Sequence, residues 1–399
     1  MSSPMIRNNI CLNAHPKGCA ALVESWIARA KNAQPLLDLS GRTAWNPPPK
    51  AVLVLGGSTG YGLASRVVSG FGYRAATVCV SFEREPSDRK VGSPGWYDNA
   101  AFDRAAAREG VFAASLNLDA FADATRDAVV ALAKEKGLEF DLVVYSLASP
   151  VRTDPKTGVM YRSAIKPIGA PYSGKHVDVF SGGFSVASAE PATAEEEAGA
   201  VKVMGGEDWS LWIDALAKGG VLARGARTVA FSYIGPEHSH AIYRNGTIGR
   251  AKEHLEATAK ELDRKLAATG GRAWVSVNKA LVTRASAVIP VIPLYVSTLY
   301  KVMKEKDVHE DCLDQALRLF KDRLAANPVP VDSAGRIRLD ELEMRADVQA
   351  EVARRLEAVD ASNVAALADL EGFKLDFLQA HGFAVPGVDY EGEPDPREI

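Results

Sequence analysis

A doubly wound α/β fold built on one parallel sheet is predicted by three features of this 399-residue sequence. Short apolar runs alternate with amphipathic stretches every ~25–35 residues, the repeat expected of βαβ units. The run over 51–55 is apolar throughout rather than alternating, as in a strand covered on both faces. The same run ends in a glycine turn that opens a helix.

That first unit organises the rest. After the strand come Gly56, Gly57, Ser58, Thr59, Gly60, Tyr61 and Gly62, then an amphipathic run over 63–69. Backbone N–H groups and the positive end of the helix dipole converge there, and missing side chains let a pyrophosphate approach. The spacing Gly56-x3-Gly60-x-Gly62 differs from the G-x-G-x-x-G fingerprint and matches the looser form of short-chain dehydrogenase/reductase-like, Rossmann-like folds. Glycine turns after buried strands also serve packing, so the loop alone leaves that alternative open.

The remaining elements follow in order. Residues 19–32 read as a helix, and Pro47, Pro48 and Pro49 form a stiff lead-in. A second strand over 75–81 ends in Phe82 and Glu83. An acid at that place accepts hydrogen bonds from adenosine ribose hydroxyls and repels a 2′-phosphate, which favours NADH over NADPH. Arg84 beside it is a cation able to neutralise such a phosphate. A helix over 101–108 and a strand over 111–117 lead to Asp119 and Ala120; a helix over 121–136 and a strand over 141–146 lead to Leu147 and Ala148. Both turns fall at carboxyl ends of strands, where open parallel sheets bind ligands.

Residues 150–190 break the rhythm. A turn at 155–158 and the pair Gly182-Gly183 predict an inserted hairpin and loop beside the sheet's active edge. Helices over 192–203 and 208–217, a fifth strand over 228–232, a helix over 247–269 and a sixth strand over 273–277 resume the pattern. An apolar segment with Pro290 and Pro293 follows, then extra C-terminal helices over 309–325, 339–358 and 362–379, and an acidic tail. No repeat or linker divides the chain, so residues 1–399 are expected to form a single enlarged dinucleotide-binding domain including the substrate-binding insertions.

Composition agrees. A hydrophobic content of 47% with 24% charged residues suits a large core, and a net charge of −3 gives no electrostatic case for nucleic acid. Four scattered cysteines without a C-x-x-C predict neither disulfides nor zinc. The apolar segment 285–300 is shorter than the ~20 residues a membrane span needs. With no leader pattern at the start, a cytoplasmic enzyme is expected, and a monomer is compatible with the inserted loops.

The residues that carry chemistry follow the fifth strand. Tyr233 ends it and faces the crevice; Tyr243 precedes the long helix, with Asn245-Gly246-Thr247 as the turn and cap; Lys252 lies in that helix's second turn. An ammonium beside a phenol favours phenolate and lowers the tyrosine pKa towards a useful acid. The lysine also suits nicotinamide ribose hydroxyls. Glu237, His238 and His240 lack a further ligand on a defined element, so no metal is expected. The Asn245-Gly246-Thr247 sequon has no meaning inside a cell. Residues 288–296 read as the wall of an acyl-chain pocket or as plain core.

Short-chain dehydrogenases use Tyr-x3-Lys, whereas this chain has Tyr243-x8-Lys252. Together with Gly-Gly-Ser-Thr-Gly-Tyr-Gly at 56–62, Ser-Pro-Gly-Trp-Tyr at 93–97, Val-Tyr-Ser-Leu-Ala-Ser-Pro at 144–150, Val-Asn-Lys-Ala-Leu-Val-Thr-Arg-Ala-Ser at 277–286 and Asn-Ala-His-Pro-Lys-Gly-Cys at 13–19, the sequence closely resembles the FabV-type enoyl-ACP reductases and related trans-2-enoyl-CoA reductases over nearly its whole length. Gly57 replaces a common alanine, a harmless difference in a turn. The resemblance implies NADH bound by Gly56 to Tyr61, Phe82, Glu83, Asp119, Ala120, Leu147, Ala148, Lys252, Leu281, Val282 and Thr283. It implies that Tyr233 contacts substrate and Tyr243 donates the proton. The implied reaction is NADH-dependent reduction of the C2–C3 double bond of an enoyl thioester on acyl carrier protein or coenzyme A, the last step of the fatty-acid elongation cycle. A carbonyl reductase of the same fold is the nearest rival, disfavoured because Tyr233 stands where a serine is usual, although Ser232 is adjacent. A non-catalytic NADH-sensing protein is another.

Overall fold

The computed structural model describes residues 3–7, 10–33, 47–286, 289, 292–392 and 394–399. Its centre is a seven-stranded sheet: β1 (Ala51–Leu55), β2 (Ala76–Ser81), β3 (Ala113–Asn117), β4 (Phe140–Tyr145), β5 (Leu222–Ser232), β6 (Arg272–Val277) and β7 (Ile337–Arg338). The spatial order is β7-β6-β5-β4-β1-β2-β3 and every pairing is parallel. The order therefore reverses between β1 and β4, which opens a ligand crevice at their carboxyl ends.

The two-residue period of a strand explains why β1 is apolar throughout. Val52 and Val54 of β1 face one core with Leu142, Val144 and Val229, whereas Ala51, Leu53 and Leu55 face the other with Val143, Tyr145 and Ala230. Helices α1 (Pro16–Asn32), α2 (Gly60–Val67) and α3 (Pro94–Arg108) cover the first face. Helices α4 (Asp123–Lys136), α6 (Glu207–Gly219) and α7 (Thr247–Ala267) cover the second, where Trp209 and Trp212 are fully buried. Helix α5 (Ala194–Met204) begins with a capping box of Thr193 and Glu196.

The predicted insertion is two antiparallel hairpins rather than one: Val151–Thr153 with Met160–Arg162, and Tyr172–Val177 with Phe184–Ala189. Asp154 builds the first turn, its carboxylate accepting the N–H groups of Lys156 and Thr157. Lys175 ties the second hairpin to the end of α10 (Ala346–Ala358), donating to the carbonyls of Leu356, Glu357 and Val359.

Several boundaries differ from expectation, among them α3, which begins at Pro94 rather than at 101. β5 begins at Leu222, with a register shift between Leu222 and Arg227. β7 is an additional strand, so the expected helix over 339–358 starts only at Ala346, after a turn over 340–344. The final expected helix is divided into α11 (Val364–Leu367) and α12 (Leu370–Gln379). Helices α8 (Ile292–Glu305) and α9 (Cys312–Arg318) complete the first core. Part of the expected acyl-pocket wall, residues 288, 290 and 291, lies outside the described residues. No helix among the described residues is long and apolar enough to cross a membrane.

Candidate active site

The glycine turn is shaped by contacts that exclude any side chain. Gly56 has φ +81°, and a Cβ there would lie 2.4 Å from the Ser146 carbonyl oxygen. A Cβ at Gly62 would lie 2.0 Å from the Gly56 oxygen, so helix α2 starts directly against the turn. Gly57 fits the space left by Cys79 Sγ and Val54 Cγ1, each 2.9 Å from where its Cβ would be. Leu147 Cα stands 3.1 Å from the Gly56 Cβ position, and Thr283 Cγ2 3.5 Å from that of Gly60. Leu147 and Thr283 thus stand against the turn from Gly56 to Tyr61 at one helix N-terminus, with Ala148, Leu281 and Val282 next to them in the chain. The Tyr61 hydroxyl donates to the Lys279 carbonyl at 2.5 Å, tying the cradle to the segment after β6.

Along the outer strands, Asp119 folds its own turn, accepting the Phe121 N–H at 2.9 Å, and the Ala120 carbonyl accepts Trp212 Nε1–H. Phe82 is 79% exposed at the end of β2, a bare aromatic face beside the crevice. The Glu83 carboxylate is nearly buried. It accepts from Ser58 and Ser93, and Arg284 Nη1 lies 3.1 Å from both of its oxygens. Arg284 is thus the cation paired with Glu83, while the Arg84 guanidinium reaches towards the Leu12 carbonyl.

At the other end of the crevice the tyrosines meet. Tyr233 follows the last residue of β5, and its ring contacts that of Tyr243 edge to face, centroids 5.0 Å apart. The Tyr233 hydroxyl donates to Glu343 Oε1 at 2.9 Å. Tyr295 of α8 donates to the same oxygen at 2.5 Å, and the Ala280 N–H donates to Oε2 at 2.7 Å. The Tyr243 hydroxyl has no hydrogen bond to protein among the described residues. Lys252 Nζ donates to the Phe231 carbonyl at 3.2 Å, on the strand that delivers Tyr233. Beside it, Ser232 Oγ is buried without a partner among the described residues. A glycine cradle at one end, and an unpartnered hydroxyl and a nearly free ammonium at the other, fit a dinucleotide laid across the sheet.

The expected acidification of Tyr243 by Lys252 is not what this geometry produces. Burial, reinforced by the negative charge of Glu343, pushes the Tyr243 pKa well above the phenol range. Lys252 keeps some exposed surface yet is closely surrounded, and desolvation outweighs the attraction of Glu256 and lowers it to about 8. Tyr243 is thus a neutral phenol at physiological pH, a hydrogen-bond donor rather than a source of phenolate. Thr247 does not cap α7 either. Gly246 holds that position, while the Thr247 hydroxyl accepts the Lys166 N–H and donates to the Ala164 carbonyl, pinning the insertion to the helix. His240 Nε2 lies 3.1 Å from the Gly235 carbonyl, and the His238 ring packs on Tyr295.

Glu343 and Tyr295 escape sequence reasoning. Glu343 is one acid in a charged run, and Tyr295 one aromatic in an apolar segment. Only the fold brings them to Tyr233.

Three family models together match most of the chain. They are the NAD(P)H binding domain of trans-2-enoyl-CoA reductase over 1–88, the trans-2-enoyl-CoA reductase catalytic region over 90–325, and an enoyl reductase FAD binding domain over 331–393. In this chain the last segment packs Val348, Val352, Phe373 and Phe377 into the core and supplies Glu343. Among its described residues no second strand–glycine–helix cradle forms. The chain is 54% identical over 392 residues, 98% of its length and 97% of the relative's, to the trans-2-enoyl-CoA reductase [NADH] of Treponema denticola. It is 52% identical over 391 residues, 97% of its length and 94% of the relative's, to an enoyl-[acyl-carrier-protein] reductase [NADH] of Coxiella burnetii. The crystal structure of the Treponema denticola enzyme in complex with NAD superposes with a TM-score of 0.94 at 53% identity, covering 99% of this chain and 98% of that one. The Clostridium acetobutulicum enzyme in complex with NADH gives 0.94 at 41% identity, with the same coverage. Matched in sequence and in fold over almost every residue, the chain belongs to the trans-2-enoyl-CoA reductase family.

Proposed function

We infer that this protein reduces the C2–C3 double bond of trans-2-enoyl thioesters with NADH, giving the saturated acyl thioester. The observation that carries the reading is the unengaged hydroxyl of Tyr243, buried against Tyr233 at the carboxyl end of β5, where Lys252 Nζ donates to the Phe231 carbonyl, in a sheet with a glycine cradle. The same arrangement occurs in a chain half identical, end to end, to relatives named for this reaction.

Bound across the sheet, NADH supplies the hydride that C3 of the substrate accepts. The residues do the rest. Gly56 to Tyr61 hold the pyrophosphate at the start of α2. Phe82 and Glu83 flank the adenosine, Asp119, Ala120, Leu147 and Ala148 line the middle, and Leu281 to Thr283 cover it. Lys252 holds the nicotinamide ribose. Negative charge grows on the thioester oxygen as C3 is reduced, and a phenol aimed there stabilises it where it develops. Tyr243 is the only tyrosine of the cluster whose hydroxyl is uncommitted, so it is assigned that role and proton donation, with Tyr233 as a wall of the substrate site.

The same reading takes residues 1–399 as one enlarged dinucleotide-binding domain, active as a monomer in the cytoplasm, where its four free thiols suit a reducing milieu. Placement in the last step of fatty-acid elongation makes acyl carrier protein the carrier to test against coenzyme A. Matched enoyl chains on each carrier, assayed by loss of NADH absorbance, decide it. A kcat/KM at least ten-fold higher on one names the carrier, and no oxidation on either removes the function.

A further inference from the structure

The tyrosine cluster contains three phenols but one buried carboxylate, and hydrogen-bond donors have to be assigned among them. An ionised carboxylate only accepts, and a phenol has a single proton. Glu343 is fully buried in the turn between β7 and α10. Its Oε1 takes the protons of Tyr233 and Tyr295, its Oε2 takes the Ala280 N–H, and its backbone carbonyl takes Gln349 Nε2–H at 2.7 Å. The phenols of Tyr233 and Tyr295 therefore have no proton left for a substrate.

We propose that Glu343 is a positioning residue: as a carboxylate it claims the protons of Tyr233 and Tyr295, leaving Tyr243 as the sole phenol able to donate to the thioester oxygen. The proposal rests on the enoyl-reductase reading and adds a proton-sorting device to it. The ionisable groups facing this carboxylate come from every neighbouring element: Tyr61 on α2, whose own proton goes to the Lys279 carbonyl, Tyr233 after β5, Tyr243 before α7, Lys279 after β6 and Tyr295 on α8. His238 lies against the far side of the Tyr295 ring. Burial raises the Glu343 pKa above the ordinary glutamate range, while the two phenols, the Ala280 N–H and Lys279 oppose that rise. Once protonated, Glu343 donates to one of the phenol oxygens, that phenol keeps its proton and turns its O–H towards the site, and the assignment is lost.

The test is the pH profile of kcat with NADH and crotonyl-CoA both saturating, for the wild type and Glu343→Gln. The wild type is expected to lose kcat on the acid side, above the ordinary glutamate range. Glu343→Gln is expected to lose at least about ten-fold in kcat at neutral pH, a modest fraction of what a general acid contributes. Its KM for NADH stays within about two-fold and its acid limb disappears. A flat wild-type profile, an unchanged kcat in the variant, or a variant that keeps the acid limb overturns the proposal. Should Glu343→Gln fail to fold, Tyr295→Phe serves. It removes one donor to the carboxylate, so the acid limb moves to higher pH, and an unmoved limb overturns the proposal. A wild type that oxidises NADH with no enoyl thioester overturns this inference and the function beneath it together.

Discussion

Tyr233 and Tyr243 touch edge to face with ring planes at 89°, yet the Tyr233 proton is bound to Glu343 while the Tyr243 hydroxyl has no protein acceptor among the described residues. Two tyrosines ten residues apart in sequence thus have different chemistry. Tyr243→Phe should lower kcat by about 10²–10⁴-fold, the span of general acid catalysis, with NADH binding retained. Tyr233→Phe should act mainly on KM for the enoyl thioester. Equal losses of kcat in the two variants would remove the distinction.

Lys252 gives a pH dependence with a definite sign. Its ammonium is charged below about pH 8 and neutral above it, because burial disfavours the charged form. Affinity for NADH should therefore be full below pH 8 and fall as pH rises through it. In kcat/KM for NADH this is an alkaline limb of the free enzyme. Lys252→Met should bind NADH weakly at every pH and show no such limb; a limb that persists in the variant assigns the titration to another group.

Cofactor choice is predicted to depend on a pair 201 residues apart in sequence, Glu83 and Arg284. Glu83→Ala removes the charge that repels a 2′-phosphate and also frees the Arg284 guanidinium beside the same pocket. The NADPH to NADH ratio of kcat/KM should rise at least ten-fold, about 1.4 kcal/mol of relative transition-state stabilisation. Undiminished discrimination in steady-state kinetics with both cofactors would acquit Glu83.

The turn itself is open to a substitution that helix propensity favours. Alanine in place of a helical glycine ordinarily gains up to about 1 kcal/mol. Gly62→Ala should instead cost NADH at least ten-fold in affinity, because the new Cβ meets the Gly56 oxygen and forces the turn apart. Fluorescence titration measures it, and an unchanged Kd would mean the turn is not the pyrophosphate cradle.

Much of this architecture was legible because buried parallel strands have a compositional signature. Residues 51–55 and 273–277 are apolar runs with no competing pattern, and the glycine turn follows directly. β7 was not legible, since two residues carry no periodicity. Nor was the start of β5, where Arg224 and Arg227 interrupt the apolar pattern. Within the site, Tyr233, Tyr243 and Lys252 were readable from their place around one strand and one helix. Their electrostatics were not: spacing suggested that the lysine governs the phenol, whereas burial and Glu343 govern it. Glu343 and Arg284 reach the site through contacts spanning 110 and 201 residues, which no local pattern encodes.

Reduction of a carbon–carbon double bond by NADH is decided by a single absorbance assay. NADH absorbance is followed with crotonyl-CoA, a longer trans-2-enoyl-CoA and a 3-ketoacyl-CoA, each also run with NADPH. Oxidation of NADH by the enoyl substrates, with the ketoacyl substrate inert and NADPH poorly used, is the predicted result. Turnover of the ketoacyl substrate in place of the enoyl ones would make this a carbonyl reductase, and NADH binding with no turnover of any would contradict the catalytic account.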